Sequence, residues 1–222
     1  MTSTVSNPKS NQTQNFFEDY APDFDAIYGT AKNPLQKLIN RYFRRSMRMR
    51  YELCMRYCAP IEGKSVLDVG CGPGHYSIAL AQRGAAVVYG IDFARQMIDL
   101  ARVKAAEAGL DNVCRFETAD FFALDTKERY DYVILMGFMD YMKDAEAVVD
   151  KALDLTRKDC FFSFPVAGGV LAMQRQWRYK KRCPLYLYRY KDLQKLFAKR
   201  SGFNFRIRKI ERDFWVHVSR VL

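Results

Sequence analysis

The sequence predicts an α/β fold, a largely parallel sheet with helices on both faces and a helical segment ahead of it. Three observations point there. Short apolar runs of strand character alternate with amphipathic helical stretches from residue 64 onward. Glycines and aspartates stand at the ends of those runs. Residues 34–60 are helix-patterned and carry no strand-like run.

Residues 1–15 are polar and lack an apolar core, so they read as a disordered tail with no signal peptide. Residues 16–60 read as helical. Asn33-Pro34 opens a stretch with Leu35, Leu38, Ile39, Tyr42 and Phe43 at helical spacing, and Arg41, Arg44, Arg45 and Arg48 on the other face. Ala59-Pro60 closes it.

Ser65–Val69 is a buried-type strand. Gly70-Cys71-Gly72-Pro73-Gly74 is a glycine turn, and Tyr76–Arg83 a helix stopped at Gly84. Ala86–Ile91 is a second strand ending at Asp92, and Arg95–Ala108 a helix ended by Gly109. Val113–Thr118 and Tyr130–Met136 are the third and fourth strands. Ala145–Thr156 is a helix, Cys160–Phe164 the fifth strand, and Asp192–Lys199 a helix. Phe203–Ile210 and Phe214–Val221 read as a final pair that adds an antiparallel strand at one edge. Three units follow: the tail 1–15, a helical cap 16–62, and a domain 63–222 interrupted at about 166–190.

At 222 residues with 49% hydrophobic content, the chain buries a full core. Its charge is uneven. Residues 63–130 carry net −1 and 131–160 net −3, whereas 37–62 carry +5 and 161–222 carry +12. The middle suits a cationic ligand, and the flanks suit anions. The longest apolar run, near Tyr132–Met139, falls far short of the roughly 20 residues that span a bilayer. The six cysteines form no Cys-x-x-Cys pair and the two histidines are far apart, so neither a metal nor a disulfide framework is expected, and reduced thiols in a cytoplasm fit best.

The first strand runs into Asp68-x-Gly70-x-Gly72-x-Gly74. A dinucleotide site needs Gly-x-Gly-x-x-Gly, and the third position here is His75. The run instead matches Asp/Glu-x-Gly-x-Gly-x-Gly at all four positions. Pyrophosphate favours a helix N-terminus free of acid. A cationic sulfonium and ammonium favour an acidic residue at the strand end, which Asp68 supplies. Asp92 follows 24 residues later, where a carboxylate accepts from ribose hydroxyls. Asp120 closes the third strand and suits an adenine amino group.

These motifs resemble the class I S-adenosylmethionine-dependent methyltransferases. The resemblance implies a Rossmann-like, seven-stranded sheet with the last strand antiparallel, an N-terminal helical lid, and methyl transfer from S-adenosylmethionine to a nucleophile. It assigns Asp68, Gly70, Gly72 and Gly74 to the methionine end. It puts Asp92, Phe93 and Met97 at the ribose and adenine, and Asp120 and Phe121 at the adenine. Met136-Gly137 would face the methyl group. Tyr20 and Tyr28, in the lid, would cover the cofactor or orient the acceptor. Asp140, just past the fourth strand, is the candidate general base.

In layout the chain is most similar to the Mg-protoporphyrin IX methyltransferases. Phe24-Asp25-x-Ile27-Tyr28-Gly29, Ala79–Ala85, Tyr188-x-Tyr190 ahead of Leu193–Phe197, and Phe214-Trp215 with Ser219–Leu222 carry that likeness. One position departs: this chain has Asp140-Tyr141 where that family has His-Tyr. The acceptor is therefore expected to be a small molecule, partly hydrophobic and anionic, methylated on oxygen. A tetrapyrrole carboxyl group and an RNA are the alternatives. Base N-methylation is disfavoured, because Met136-Gly137-Phe138-Met139 replaces the Asn/Asp-Pro-Pro-Tyr/Phe motif. Residues 166–190 mix Val170, Leu171, Met173 and Trp177 with five cations from Arg175 to Arg182, an expected acceptor or membrane-facing segment.

Overall fold

The computed structural model describes residues 34–179 and 183–221, with side chains of 34–44 and of residues 170, 171, 178 and 179 left aside. Tyr20, Tyr28 and the tail lie outside the described residues. The elements run α1 (Pro34–Tyr57), β1 (Ser65–Val69), α2 (His75–Ala81), β2 (Val87–Asp92), α3 (Arg95–Glu107), β3 (Cys114–Thr118) and β4 (Tyr130–Leu135). They continue with α4 (Ala145–Asp154), β5 (Thr156–Pro165), α5 (Val170–Tyr179), α6 (Tyr190–Ala198), β6 (Phe203–Ile210) and β7 (Asp213–Arg220).

One seven-stranded sheet has the order β3-β2-β1-β4-β5-β7-β6. β1 pairs in parallel with β2 and β4, β2 with β3, and β4 with β5. β7 runs antiparallel to both β5 and β6. Seven strands, with the last one reversed, are what the resemblance implies.

Side-chain alternation along each central strand feeds two cores. Val66, Tyr132, Ile134, Phe161 and Trp215 pack with Leu53, Cys54 and Cys58 of α1, Leu80 of α2, and Ile98 and Ala101 of α3. Their neighbours Leu67, Val133, Leu135, Phe162 and Val216 pack with Val148, Val149 and Leu153 of α4 and Leu193 and Phe197 of α6. Strands buried on both faces demand helices on both faces. Each fully buried Leu, Val or Phe contributes about 1.5–3 kcal/mol.

Two elements differ from expectation. β5 starts at Thr156, four residues early, and α4 stops at Asp154. Thr156 reads as the end of the helix and Arg157-Lys158-Asp159 as a loop, but Thr156 is buried, donates its hydroxyl to the Ala152 carbonyl at 2.7 Å and pairs with Tyr130. The reversed strand is also not at the edge. β7 is buried along Asp213–Val216 and lies inside the sheet, while β6, with Arg206 and Arg208 exposed, forms the border. Within 166–190, the interruption consists of α5 and a return segment bridged to the sheet at Val166 and Tyr188.

Candidate cofactor and acceptor site

The carboxyl ends of β1, β2, β3 and β4 meet at the glycine turn, the place where open α/β sheets bind ligands. The Gly70 and Cys71 amides donate to the Ile91 carbonyl at 2.8 and 3.0 Å, which folds the turn over the end of β2. Gly70 has φ +67°, and a Cβ there would lie 2.7 Å from Phe138, so only glycine fits. Gly72, at φ +53°, has no atom within 4 Å of where a Cβ would lie, so the turn's middle faces open space. Gly74 is the left-handed N-cap of α2.

Three aspartates sit around this turn. Asp68 is buried and accepts from Ser77 Oγ at 2.7 Å. Burial pushes its carboxyl up to about 7, opposed by the Ser77 hydroxyl and reinforced by Asp92. Asp92 accepts from the Gly72 amide at 3.0 Å and the Ala94 amide at 2.9 Å, so it ties β2 to the glycine turn. Burial raises it, and these backbone donors oppose the shift. Asp120 is exposed at the end of β3 and accepts from the Phe122 amide at 2.9 Å.

The remaining sequence-assigned residues divide. Phe93 packs, half-buried, in a small cluster with Ala94 and the fully buried Met97. Phe121 is buried in the core, edge-on to Phe138 with ring centroids 5.9 Å apart. Met136 packs half-buried against the α1-side core. His217 pairs with Asp159 at 2.6 Å among Tyr57, Phe161 and Trp215, a structural place.

A second cluster adjoins the end of β4, and the sequence pattern shows only part of it. In β5, Ser163 stands on the same face as Phe161, and in β7 Asp213 shares the face of Trp215, both toward α1. Ser163 Oγ accepts from the Gly137 amide at 2.7 Å and from Arg50 Nη1 at 3.1 Å. A Cβ on Gly137 would lie 3.8 Å from Arg50 Nη1, so this guanidinium borders Gly137. Asp213 accepts from Ser46 Oγ at 2.5 Å, pairs with Arg175 at 3.2 Å and lies 3.8 Å from Arg50 Nε. Arg175 also grips Asp140, at 2.5 Å. Burial raises the Asp140 carboxyl, and Arg175 opposes that shift. For Asp213 burial acts upward too, but Arg50, Arg175 and Ser46 hold it below the usual carboxylate range. Arg212 is lowered to about 10 by burial and by Arg175. Three guanidinium groups, Arg50, Arg175 and Arg212, thus face two carboxylates, a formal excess of one positive charge, and Arg50 is the member that borders Gly137. Asp140, the expected base, is engaged in this network. Ser46, Arg50, Ser163, Arg212 and Asp213 are the members sequence reasoning missed. The available signal was a lone serine in the apolar strand Cys160-Phe161-Phe162-Ser163-Phe164.

Comparison with known proteins bears on the family and the fold. A sequence profile described as "Methyltransferase domain" matches residues 61–182. The chain is 40% identical over 111 residues to a ubiquinone biosynthesis O-methyltransferase of Neisseria meningitidis serogroup C, covering 47% of this chain and 45% of that protein. It is 34% identical over 104 residues to the protein of that name from Shewanella sp. ANA-3, covering 47% and 44%. The match thus spans less than half the length of these relatives. Among solved structures, magnesium protoporphyrin IX methyltransferase (ChlM) from Synechocystis PCC 6803 with bound SAH superimposes with TM-score 0.77 at 22% identity, over 96% of this chain and 100% of that one. The DhpI–SAH complex gives 0.67 at 15% identity, over 97% and 98%. With a matched profile over more than half its length and this sheet order, the chain belongs to the methyltransferase domain family.

Proposed function

We propose that this protein transfers the methyl group of S-adenosylmethionine to an oxygen of a small-molecule acceptor that carries negative charge. One observation carries the reading: Gly72, in the middle of the Asp68–Gly74 turn, faces open space while Asp92 anchors the turn and Asp68 offers a desolvated carboxylate. A set of carboxylate acceptors at three strand ends fits a ligand bearing a sulfonium and an ammonium. Asp68 and the glycine turn would hold the methionine end, Asp92 the ribose and Asp120 the adenine edge. When bound, the cofactor supplies an electrophilic methyl on a neutral leaving thioether. The family membership and the O-methyltransferase names of the sequence relatives support oxygen as the acceptor atom.

The protein's part is then positioning, which is worth roughly 7–11 kcal/mol of barrier in well-oriented systems. Arg50 is held by Ser163 and Arg175 by Asp140, and both guanidiniums answer the acceptor's charge beside Gly137. Because Asp140 is held by Arg175, we assign it to orienting that guanidinium. An acceptor that arrives as an oxyanion needs no base, and this favours a carboxylate over a neutral hydroxyl. The attacking oxygen then forms the O–CH₃ bond as the S–CH₃ pair returns to sulfur, and no proton is lost. Methyl-ester formation is expected to leave a weakly buffered indicator solution unchanged, whereas methylation of a neutral phenol acidifies it by one proton per turnover. One proton per turnover would defeat the carboxylate assignment and leave the O-methyl reading standing.

The cofactor reading is tested by calorimetry. Micromolar binding of S-adenosylmethionine or S-adenosylhomocysteine is expected. Asp92→Ala should weaken it about 100-fold or more, since it removes a charged acceptor and frees the Gly72 and Ala94 amides. Absence of any binding by the wild-type protein would overturn the proposal.

A further inference from the structure

α5 has two faces of different character. Ala172 is buried and Arg175, three residues on, reaches inward to Asp140 and Asp213. Met173 and Trp177, four residues apart and so on one side of the helix, stand outward at 69% and 81% exposure. They are the two most exposed large hydrophobic side chains among the described residues. Beside them lies a cavity of about 500 Å³ lined by Met173, Gln176, Lys143, Tyr186, Arg189 and Asp192. Apart from the inward Arg175, the sequence from Cys160 to Lys191 holds six Lys and Arg and no Asp or Glu, and of these Arg189 and Lys191 are exposed.

We infer that the Met173–Trp177 ridge of α5 docks this protein on an anionic lipid bilayer, with the adjoining cavity opening toward the lipid. The occupant is argued from charge and shape. An exposed indole and thioether suit the apolar boundary of a headgroup layer, and an acid-free stretch rich in cations suits its negative surface. A nucleic acid would satisfy the cations but leave the outward Met173 without a purpose. No helix among the described residues is long and apolar enough to cross a membrane, and the inferred contact is peripheral. The docking stands apart from the proposed chemistry. Only the use of the cavity as an entry for a membrane-held acceptor rests on the methyl-transfer reading.

Vesicle flotation and tryptophan fluorescence test it together. The chain has two tryptophans, and Trp215 is only 1% exposed, so a change in emission reports Trp177. Phosphatidylcholine vesicles with 30 mol% phosphatidylglycerol are expected to carry the protein upward at low salt and to shift its emission to the blue. Pure phosphatidylcholine should bind it about tenfold less, and raising NaCl to 0.5 M should release it. Trp177→Ser should lower partitioning about tenfold and abolish the shift. Its thermal melt should match wild type, because the indole supports nothing in the fold. Three results would overturn the inference: no binding to the anionic vesicles, undiminished binding by Trp177→Ser, or loss of vesicle binding on adding an equimolar short RNA. Self-association lost in Trp177→Ser, without vesicle binding, would do so as well. Calorimetry with S-adenosylmethionine on the same preparations reports the cofactor reading separately, so one reading can fail without the other.

Discussion

Replacing Arg175 with methionine is expected to cost about 3–5 kcal/mol of stability, the range for removing one partner from a buried ion pair. Among the described residues, Arg175 is the cation that bridges Asp140 and Asp213, at 2.5 and 3.2 Å. The methionine side chain would fill similar volume, so the loss would come from charge and not from a cavity. Two carboxylates would remain buried, with Ser46 and Arg50 still serving Asp213 and nothing of equal reach serving Asp140. In a domain of this size the melting temperature should fall by roughly 6–20 °C. The loss should also grow with pH. Burial already raises Asp140 and Arg175 opposes it, so removing the cation lifts its folded-state pKa further. A raised carboxyl penalises the charged form, and that penalty is absent below the unfolded pKa near 4 and increases as pH rises. Denaturant unfolding at pH 5 and pH 8 should therefore separate wild type from variant more at pH 8. The double variant Arg175→Met/Asp140→Leu should recover part of the loss, because it removes the stranded charge as well. Equal stability of Arg175→Met and wild type at pH 8 would show that the network is not holding α5 to the sheet.

That network also shows where the sequence stops being legible. The glycine turn and the aspartates at the strand ends are local features. Asp68, Gly70, Gly72, Gly74 and Asp92 lie within one strand–helix–strand unit, and their spacing alone brings them together. Arg50 lies in a stretch with Arg44, Arg45 and Arg48, which reads as a solvated helix face. Its partners Ser163 and Asp213 are 113 and 163 residues away, joined only when β5 and β7 pair and α1 crosses their ends. The packing of Phe121 was hidden for a related reason. A phenylalanine after a strand-end aspartate suits a flat ligand, and its local sequence gives no sign of the edge-on contact with Phe138, 17 residues on, that buries the ring. The early start of β5 was hidden because Arg157 and Lys158 are exposed at the sheet's rim, where strand residues need not be apolar. β7 and β6 differ in burial and not in strand character, so the hairpin was legible while its insertion order was not.

Asp68→Asn is expected to make the folded state respond to pH in the opposite sense to its effect on cofactor binding. In the wild type the Asp68 carboxyl titrates at about 7, against a reference of 3.8. Its folded-state pKa is raised, so folding takes up a proton, and the carboxylate costs stability progressively from about pH 4 to pH 7. Each pKa unit corresponds to about 1.4 kcal/mol, so the full cost approaches roughly 4 kcal/mol above pH 7. Asparagine carries no charge and its carbonyl can still accept from Ser77. The amide brings donors that need partners, a constant cost of about 1–3 kcal/mol at every pH. The difference in unfolding free energy between variant and wild type should therefore move by about 4 kcal/mol in favour of the variant between pH 4 and pH 8, whatever its offset. Binding should run the other way. A cationic ligand prefers the ionised carboxyl, so wild-type affinity for S-adenosylmethionine should rise with pH through about 7 and then level, while Asp68→Asn binds weakly and without that rise. Parallel stability curves for the two proteins would show that Asp68 titrates in its ordinary range. Nothing in the packing requires an acid at that position: Asn or Ser would bond to Ser77 without the desolvation penalty. A buried carboxylate that weakens the fold at neutral pH is the arrangement expected where a site keeps a charge ready for a ligand of opposite sign.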